Sequence, residues 1–205
     1  MDTSLFLEKT SLYLNFRNVA LTEEIKKKAL QALGFFTENH VYRYIFLEGK
    51  DPLDFMKKEP YASFLQGANG YILFAATLGS ETDDKIKELY KSNSNDADVF
   101  DCAANAYLEL QNDVVRADLA PSLSYLFCPG YQGSDVFDAK EILDTLKADR
   151  LEIKLLNSGL ITPSKSMAGF FAKGISPQKK CGECIEINDC IYRKVGKLCF
   201  HLEKK

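Results

Sequence analysis

The hydrophobic positions of this chain change period several times along its length, and each change marks an element. Residues 21 to 33, LTEEIKKKALQAL, carry Ile25, Ala29, Leu30 and Leu33 at the spacing of one helix face. Thr22 is placed to cap that helix, Glu23 and Glu24 suit its positive N-terminal end, and Gly34 is its expected stop. Residues 40 to 49, HVYRYIFLEG, alternate and are rich in aromatic and β-branched residues, which predicts a strand closed by a turn at Gly49, Asp51 and Pro52. The run YILFAATLG, 71 to 79, is apolar throughout, so periodicity leaves a buried strand and a buried helix both open. SETDDKIKELYKS, 80 to 92, places acids first and lysines later, as a helix dipole favours.

SNSN, 92 to 95, reads as a break, and residues 96 to 119 form the longest helical segment, with Ala and Leu at helix spacings. PSLSYLFCPGYQGSD, 121 to 135, begins as a strand and ends in a loop punctuated by Pro and Gly. DAKEILDTLKADR, 138 to 150, is a short amphipathic helix. LEIKLLNSG and SMAGFFAKG read as strands with LITPSK between them. No internal repeat or low-complexity tract interrupts the pattern.

The pattern weakens near residue 175. GISPQKK, 174 to 180, has a linker's composition, and the residues after it are rich in cysteine and charge but poor in large apolar groups. The expected organisation is a main domain over 1–175 and a Cys-rich tail over 176–205. Such a tail buries little surface by itself and needs a staple or a docking face.

Composition narrows the function classes. The chain has 205 residues, 46% hydrophobic and 27% charged, with a net charge of −3. That balance suits a soluble globular protein and provides no global basic field for nucleic acid or an anionic membrane. The longest apolar run is too short to span a bilayer, and the N-terminus lacks the order of a secretory signal, so a cytoplasmic location is expected. In a reducing compartment, six cysteines favour ligands or redox chemistry over disulfides.

Four of the six, Cys181, Cys184, Cys190 and Cys199, stand in the tail with the spacing C-x2-C-x5-C-x8-C. A C-x2-C pair can turn both thiolates onto one metal, and Gly182 eases the turn. Four sulfurs suit tetrahedral zinc or an iron–sulfur cluster, with His201 a possible substitute ligand. Free thiols are the third reading. Cys102 is expected as a buried helix thiol and Cys128 as a thiol at a strand end.

A small-molecule site is suggested by SYLFCPGY, 124 to 131. The sharp turn at Cys128-Pro129-Gly130 exposes backbone groups to a ligand, and Tyr125 and Tyr131 can stack on one. Gly169 precedes Phe170 and Phe171, and a strand glycine permits close approach, although aromatics there are more often core. With His40 and His201 the only histidines, no nucleophilic triad is suggested. No phosphate-cradling glycine motif is present. Asp83 and Asp84 fit a solvated helix start better than catalysis.

In this order, the stretches resemble the activation domain of vitamin B12-dependent methionine synthase, and especially its stand-alone relatives. YILFAATLGSETDDKIKEL is similar to the family's apolar segment ending in Thr-Leu-Gly before a helix, and DADVFDCAANAYLE to its alanine-rich helix. SYLFCPGY resembles its Gly-Tyr-x-x-Cys-Pro stretch, and LEIKLLNSGLITPSKSMAGFFA its Leu-Thr-x-Ser, apolar-x-Pro and Ser-x-x-Gly-aromatic elements. Cys181, Cys184, Cys190, Tyr192 and Arg193 resemble the tail of the stand-alone members. The likeness covers most of 70 to 200 and, more loosely, SLYLNF near the N-terminus.

The resemblance implies an α+β fold with a bent, largely antiparallel β-sheet flanked by helices. It implies an accessory role in reductive reactivation: S-adenosylmethionine remethylates a cobalamin that has lost its working oxidation state. The cobalamin is carried by a partner methyltransferase, such as methionine synthase, and the electron comes from a flavodoxin- or ferredoxin-type donor. The matched cofactor-binding positions are Tyr125, Pro129, Ser166, Gly169 and Phe171. Several positions depart from the family pattern. Ala120 stands where the family has Arg, with Arg116 upstream. Ser124 replaces the Gly before the tyrosine, and Phe171 replaces a tyrosine. Leu156-Asn157 replaces Thr-Glu. The helix acid becomes Ala106 or Cys102, with Asp101 and Glu109 nearby. These departures leave an alternative: a redox or metal-stapled adaptor that docks a corrinoid protein without binding S-adenosylmethionine.

Overall fold

The structure is a computed structural model and describes residues 2–120 and 122–175. Its centre is β2 (Tyr71–Thr77), buried at all seven positions. Periodicity left this run open between strand and helix; the structure makes it a strand because both of its faces are covered. β1 (Arg43–Gly49) and β5 (Ser166–Ala172) flank it antiparallel, giving the order β1-β2-β5. Phe46 faces Phe74 in the first pairing, and Phe74 faces Gly169 in the second.

The period of two along β2 divides the core. Ile72, Phe74 and Ala76 join Phe171 of β5 in a cluster with α1 (Thr3–Phe16), α2 (Glu23–Glu38) and α5 (Ser94–Leu119). Tyr71, Leu73 and Ala75 join Phe170 and α6 (Ala139–Leu146) on the other face. Each large side chain buried in these clusters contributes roughly 1.5–3 kcal/mol relative to exposure. A hairpin of β3 (Lys154–Leu155) and β4 (Ile161–Thr162) lies at the α6 side.

Local chemistry explains most boundaries. Thr22 caps α2 by accepting from the Ile25 N–H at 3.3 Å. Gly34 does not end that helix, which runs on to Glu38 because Phe36 packs against Phe100 and Tyr107 of α5. Of the expected apolar face, Ala29 is buried while Leu30 is exposed; Ala32 and Phe36 complete the contact. The predicted break at 92–95 shrinks to Asn93, whose side chain accepts from the N–H groups of Asn95 and Asp96 and starts α5 one residue after α4 (Gly79–Ser92) ends. α1 is an addition to the expected elements: Asp2 caps it, and Phe6, Leu12 and Leu14 bury its inner side.

The segment after α5 is not the continuous strand that its opening residues predict. It makes two isolated bridges, Phe127 with Phe170 of β5 and Leu123 with Lys173 just after that strand. α3 (Tyr61–Phe64) sits beside it, with Phe64 edge-on to Phe127 at 4.9 Å. The tail cysteines Cys181, Cys184, Cys190 and Cys199 lie outside the described residues.

Candidate functional site

The 123–131 segment is held along the free edge of β5 by its own backbone. The Phe127 N–H donates to the Phe170 carbonyl at 2.9 Å and the Phe170 N–H returns to the Phe127 carbonyl at 3.0 Å. Ser124 adds to the tie: its N–H donates to the Ala172 carbonyl at 3.0 Å, and its Oγ accepts from the Ala172 N–H at 2.8 Å. A Cβ at Gly169 would fall 2.3 Å from the Phe127 carbonyl oxygen. The close approach that a strand glycine signals is therefore made by this chain's own backbone.

Beyond Phe127 the chain turns. Pro129 is buried and Gly130 takes φ +94 against Val136. Ser134 Oγ accepts from the Gly130 N–H at 3.0 Å and donates to the Tyr131 carbonyl at 2.6 Å, which closes the turn. Tyr125 is half-buried, with its ring edge-on to Phe64 at 5.2 Å and its hydroxyl accepting from Gln132 Nε2 at 3.2 Å. Tyr131, at 62% exposure, is the outermost aromatic of the turn.

The remaining expected positions lie along β5. Ser166 is its first residue and donates to Thr77 Oγ1 at 2.8 Å; Thr77 also accepts from the Gly79 N–H. Phe171 is 1% exposed and packs on Phe74 at 5.4 Å, so its ring belongs to the helix-side core and offers no platform to a ligand. Phe170 fills the opposite core, as a paired aromatic in a strand suggests. The structure thus brings Tyr125, Pro129 and Gly169 to one sheet edge and puts Ser166 at the start of the same strand.

α5 borders the segment through Arg116, and here the structure adds residues. Ala106 and Cys102 are both buried in the core. Asp101 is bound to Lys165 at 2.7 Å and to Arg17 at 2.5 Å, and Lys165 also donates to Asn105 at 2.8 Å. That network anchors the loop before β5 rather than a ligand. Glu109 accepts from the Tyr13 hydroxyl at 2.5 Å and from Lys9 at 2.6 Å, both on α1. Burial, and then the Glu109 charge, raise the Tyr13 phenol well above its ordinary range.

Tyr131 is raised too. Local desolvation of its hydroxyl is the largest cause, despite the exposure of the residue as a whole, followed by the charges of Cys128 and Glu109. Further along α5, Asn112 accepts from Tyr42 and donates to Met167 Sδ, and Arg116 donates to the Leu123 carbonyl at 3.4 Å. Glu109, Asn112 and Arg116 thus share one side of α5, tied respectively to α1, to Tyr42 and Met167, and to the 123–131 segment. Tyr13 lies in SLYLNF, which the resemblance touches only loosely, and nothing in the spacing of Tyr13 and Lys9 places α1 against α5.

Elsewhere, a cleft of about 500 Å³ between α6 and β3 has an apolar floor of Leu143, Ile153 and Leu155 with Lys140 and Lys154 at its rim. Among the described residues, no three His, Cys, Asp or Glu side chains gather as a metal site. No helix among them is long and apolar enough to cross a membrane.

No protein-family model matches the sequence, and no curated protein does. Among solved structures, the crystal structure of the MetH reactivation domain bound to AdoHcy matches with a TM-score of 0.57. The match covers 93% of this chain and 83% of that chain, at 13% identity. This chain has the fold of the MetH reactivation domain. The α+β architecture, an antiparallel sheet between helices, is the one expected from the sequence. At 13% identity the likeness extends to the path of the chain and not to individual side chains.

Proposed function

We propose that this protein is an accessory factor for reductive reactivation of a corrinoid-dependent methyltransferase, and that it presents S-adenosylmethionine to the partner's corrinoid. The observation that carries this reading is the 123–131 segment, braced on β5 and bordered by Arg116 of α5, in a fold whose solved neighbour is bound to AdoHcy. In that role S-adenosylmethionine supplies a methyl cation to the corrinoid after a flavodoxin- or ferredoxin-type donor has reduced it by one electron. S-adenosylhomocysteine is the product.

This chain's residues would position the ligand rather than exchange protons with it. The turn at Pro129 and Gly130 supplies backbone donors and acceptors, and Tyr125 supplies an aromatic edge. Glu109, already engaged by Lys9 and Tyr13, would share its charge with a sulfonium or ammonium group, and Arg116, bound to the Leu123 carbonyl, its cation with a carboxylate. Phe171 and Ser166 would support the strand that carries the edge. The test is to mix the protein with a corrinoid methyltransferase in its inactive oxidised state, a reductant and S-adenosylmethionine, and to follow the corrinoid's visible spectrum. Recovery of the methylated spectrum that depends on this protein supports the reading; identical recovery without it refutes the reading.

A second reading, an adaptor that docks a corrinoid protein without binding S-adenosylmethionine, draws on Ala120, which ends α5 without the family's arginine. The two differ in whether the purified protein binds the ligand. For the tail, we propose that Cys181, Cys184, Cys190 and Cys199 hold zinc or an iron–sulfur cluster. Anaerobic purification with metal analysis and spectra tests this: Cys181→Ser should lose bound metal or colour, and retention of both returns the tail to free thiols.

A further inference from the structure

β1 is an edge strand, and among the described residues no strand pairs with its outer side. Natural edges are usually blunted by bulges, prolines or outward charges. β1 has none of these. Its register against β2 is unbroken from Arg43–Thr77 to Gly49–Tyr71, so it contains no bulge. Its two charged residues are engaged within the chain, Arg43 with Glu81 at 2.8 Å and Glu48 with Lys173. Three large apolar side chains remain open: Tyr44 is 44% exposed, Phe46 46% and Leu47 47%. Tyr44 and Phe46 also extend a line of rings that starts at Tyr42, with centroids 5.7 Å and 6.4 Å apart.

We infer that this edge pairs with the same edge of a second copy, as an antiparallel dimer with its two-fold axis at Phe46. The strand is self-complementary in that register. A two-fold axis perpendicular to a sheet keeps each face on its own side, so opposed residues must have equal parity. Centred on Phe46, the pairing sets Phe46 against its own copy on the helix side. It sets Ile45 against Leu47 on the α6 side, and Tyr44 against Glu48, whose carboxylate can accept from the phenol. Arg43 falls opposite Gly49, with the exposed Asp51 of the other copy diagonally beyond it on the same face. The two ends thus match in charge while the centre is apolar. The joined sheet has six strands, and the 123–131 edge lies on its far margin in each copy, so the inference stands apart from the ligand site.

The test is the solution mass of the full chain by light scattering, from micromolar to submillimolar concentration. The expected result is twice the chain mass, with Phe46→Lys weakening association by roughly tenfold or more. Phe46 is nearly half exposed, so the substitution leaves the fold intact by circular dichroism; Leu47→Lys is a second variant with the same expectation. Phe46→Cys should form an intermolecular disulfide between the two introduced thiols, mapped by mass spectrometry. A monomer mass at every concentration, or a dimer that survives Phe46→Lys and Leu47→Lys, overturns the inference. A dimer in which Phe46→Cys forms no such link overturns the register.

Discussion

Gly169 is the residue on which the candidate site most depends, because the site's outer wall lies where a side chain would be. Gly169→Ala puts a methyl group 2.3 Å from the Phe127 carbonyl, against backbone that cannot rotate away. The expected cost is about 1–3 kcal/mol, read as a lower urea midpoint. A midpoint equal to that of the unaltered chain would show that the segment is not braced there. Lys165 is 8% exposed, and Lys165→Met removes both its ion pair with Asp101 and its hydrogen bond to Asn105. A loss of about 1.5–3 kcal/mol is expected in the same measurement. Cys102 adds a pH dependence. Burial is the main cause that pushes its thiol from 9.0 to about 11; Arg17 opposes the shift, and Asp101 and Asp98 add to it. The unfolded chain releases that proton near pH 9 and the folded chain holds it to about 11. Its contribution to stability is therefore complete below pH 9 and is lost as pH rises through 11, with Tyr13 acting in the same sense. Urea midpoints should fall across that window, and a flat profile would contradict the assignment.

At the scale of elements, legibility followed how locally each element is determined. α4, α5, α6 and β1 were readable because caps, dipole-matched charges and period-two alternation sit within the elements themselves. β2 was visible as a buried run, but its conformation depended on layers contributed by α1, α2, α5 and α6. α2 overran Gly34 because tertiary contacts at Phe36 outweigh the cost of one helical glycine, about 0.8–1.0 kcal/mol relative to alanine. The 123–127 stretch looked like a strand and makes only two bridges, a consequence of pairing across a distant edge. The same separation hid the partnership of α1 with Glu109, whose contacts span about a hundred residues of sequence. Phe171 misled for a related reason: alternation along β5 sends it to one core and Phe170 to the other, and the sequence does not say which face is open.

At the scale of the molecule, a three-stranded sheet with unlike margins separates two kinds of contact. One margin is the 123–131 segment, touched by Arg116 of α5; the other is the bare edge of β1. Phe46→Lys should therefore alter the mass of the protein and leave ligand binding at the other margin unchanged. Binding of an adenosyl-sulfonium ligand at the first margin is proposed above, and calorimetric titration of the purified full chain with S-adenosylmethionine reads it out. Saturable binding of one ligand per chain is expected, weakened by Glu109→Gln in a variant that keeps the native circular dichroism spectrum. No binding heat at millimolar ligand would contradict the claim.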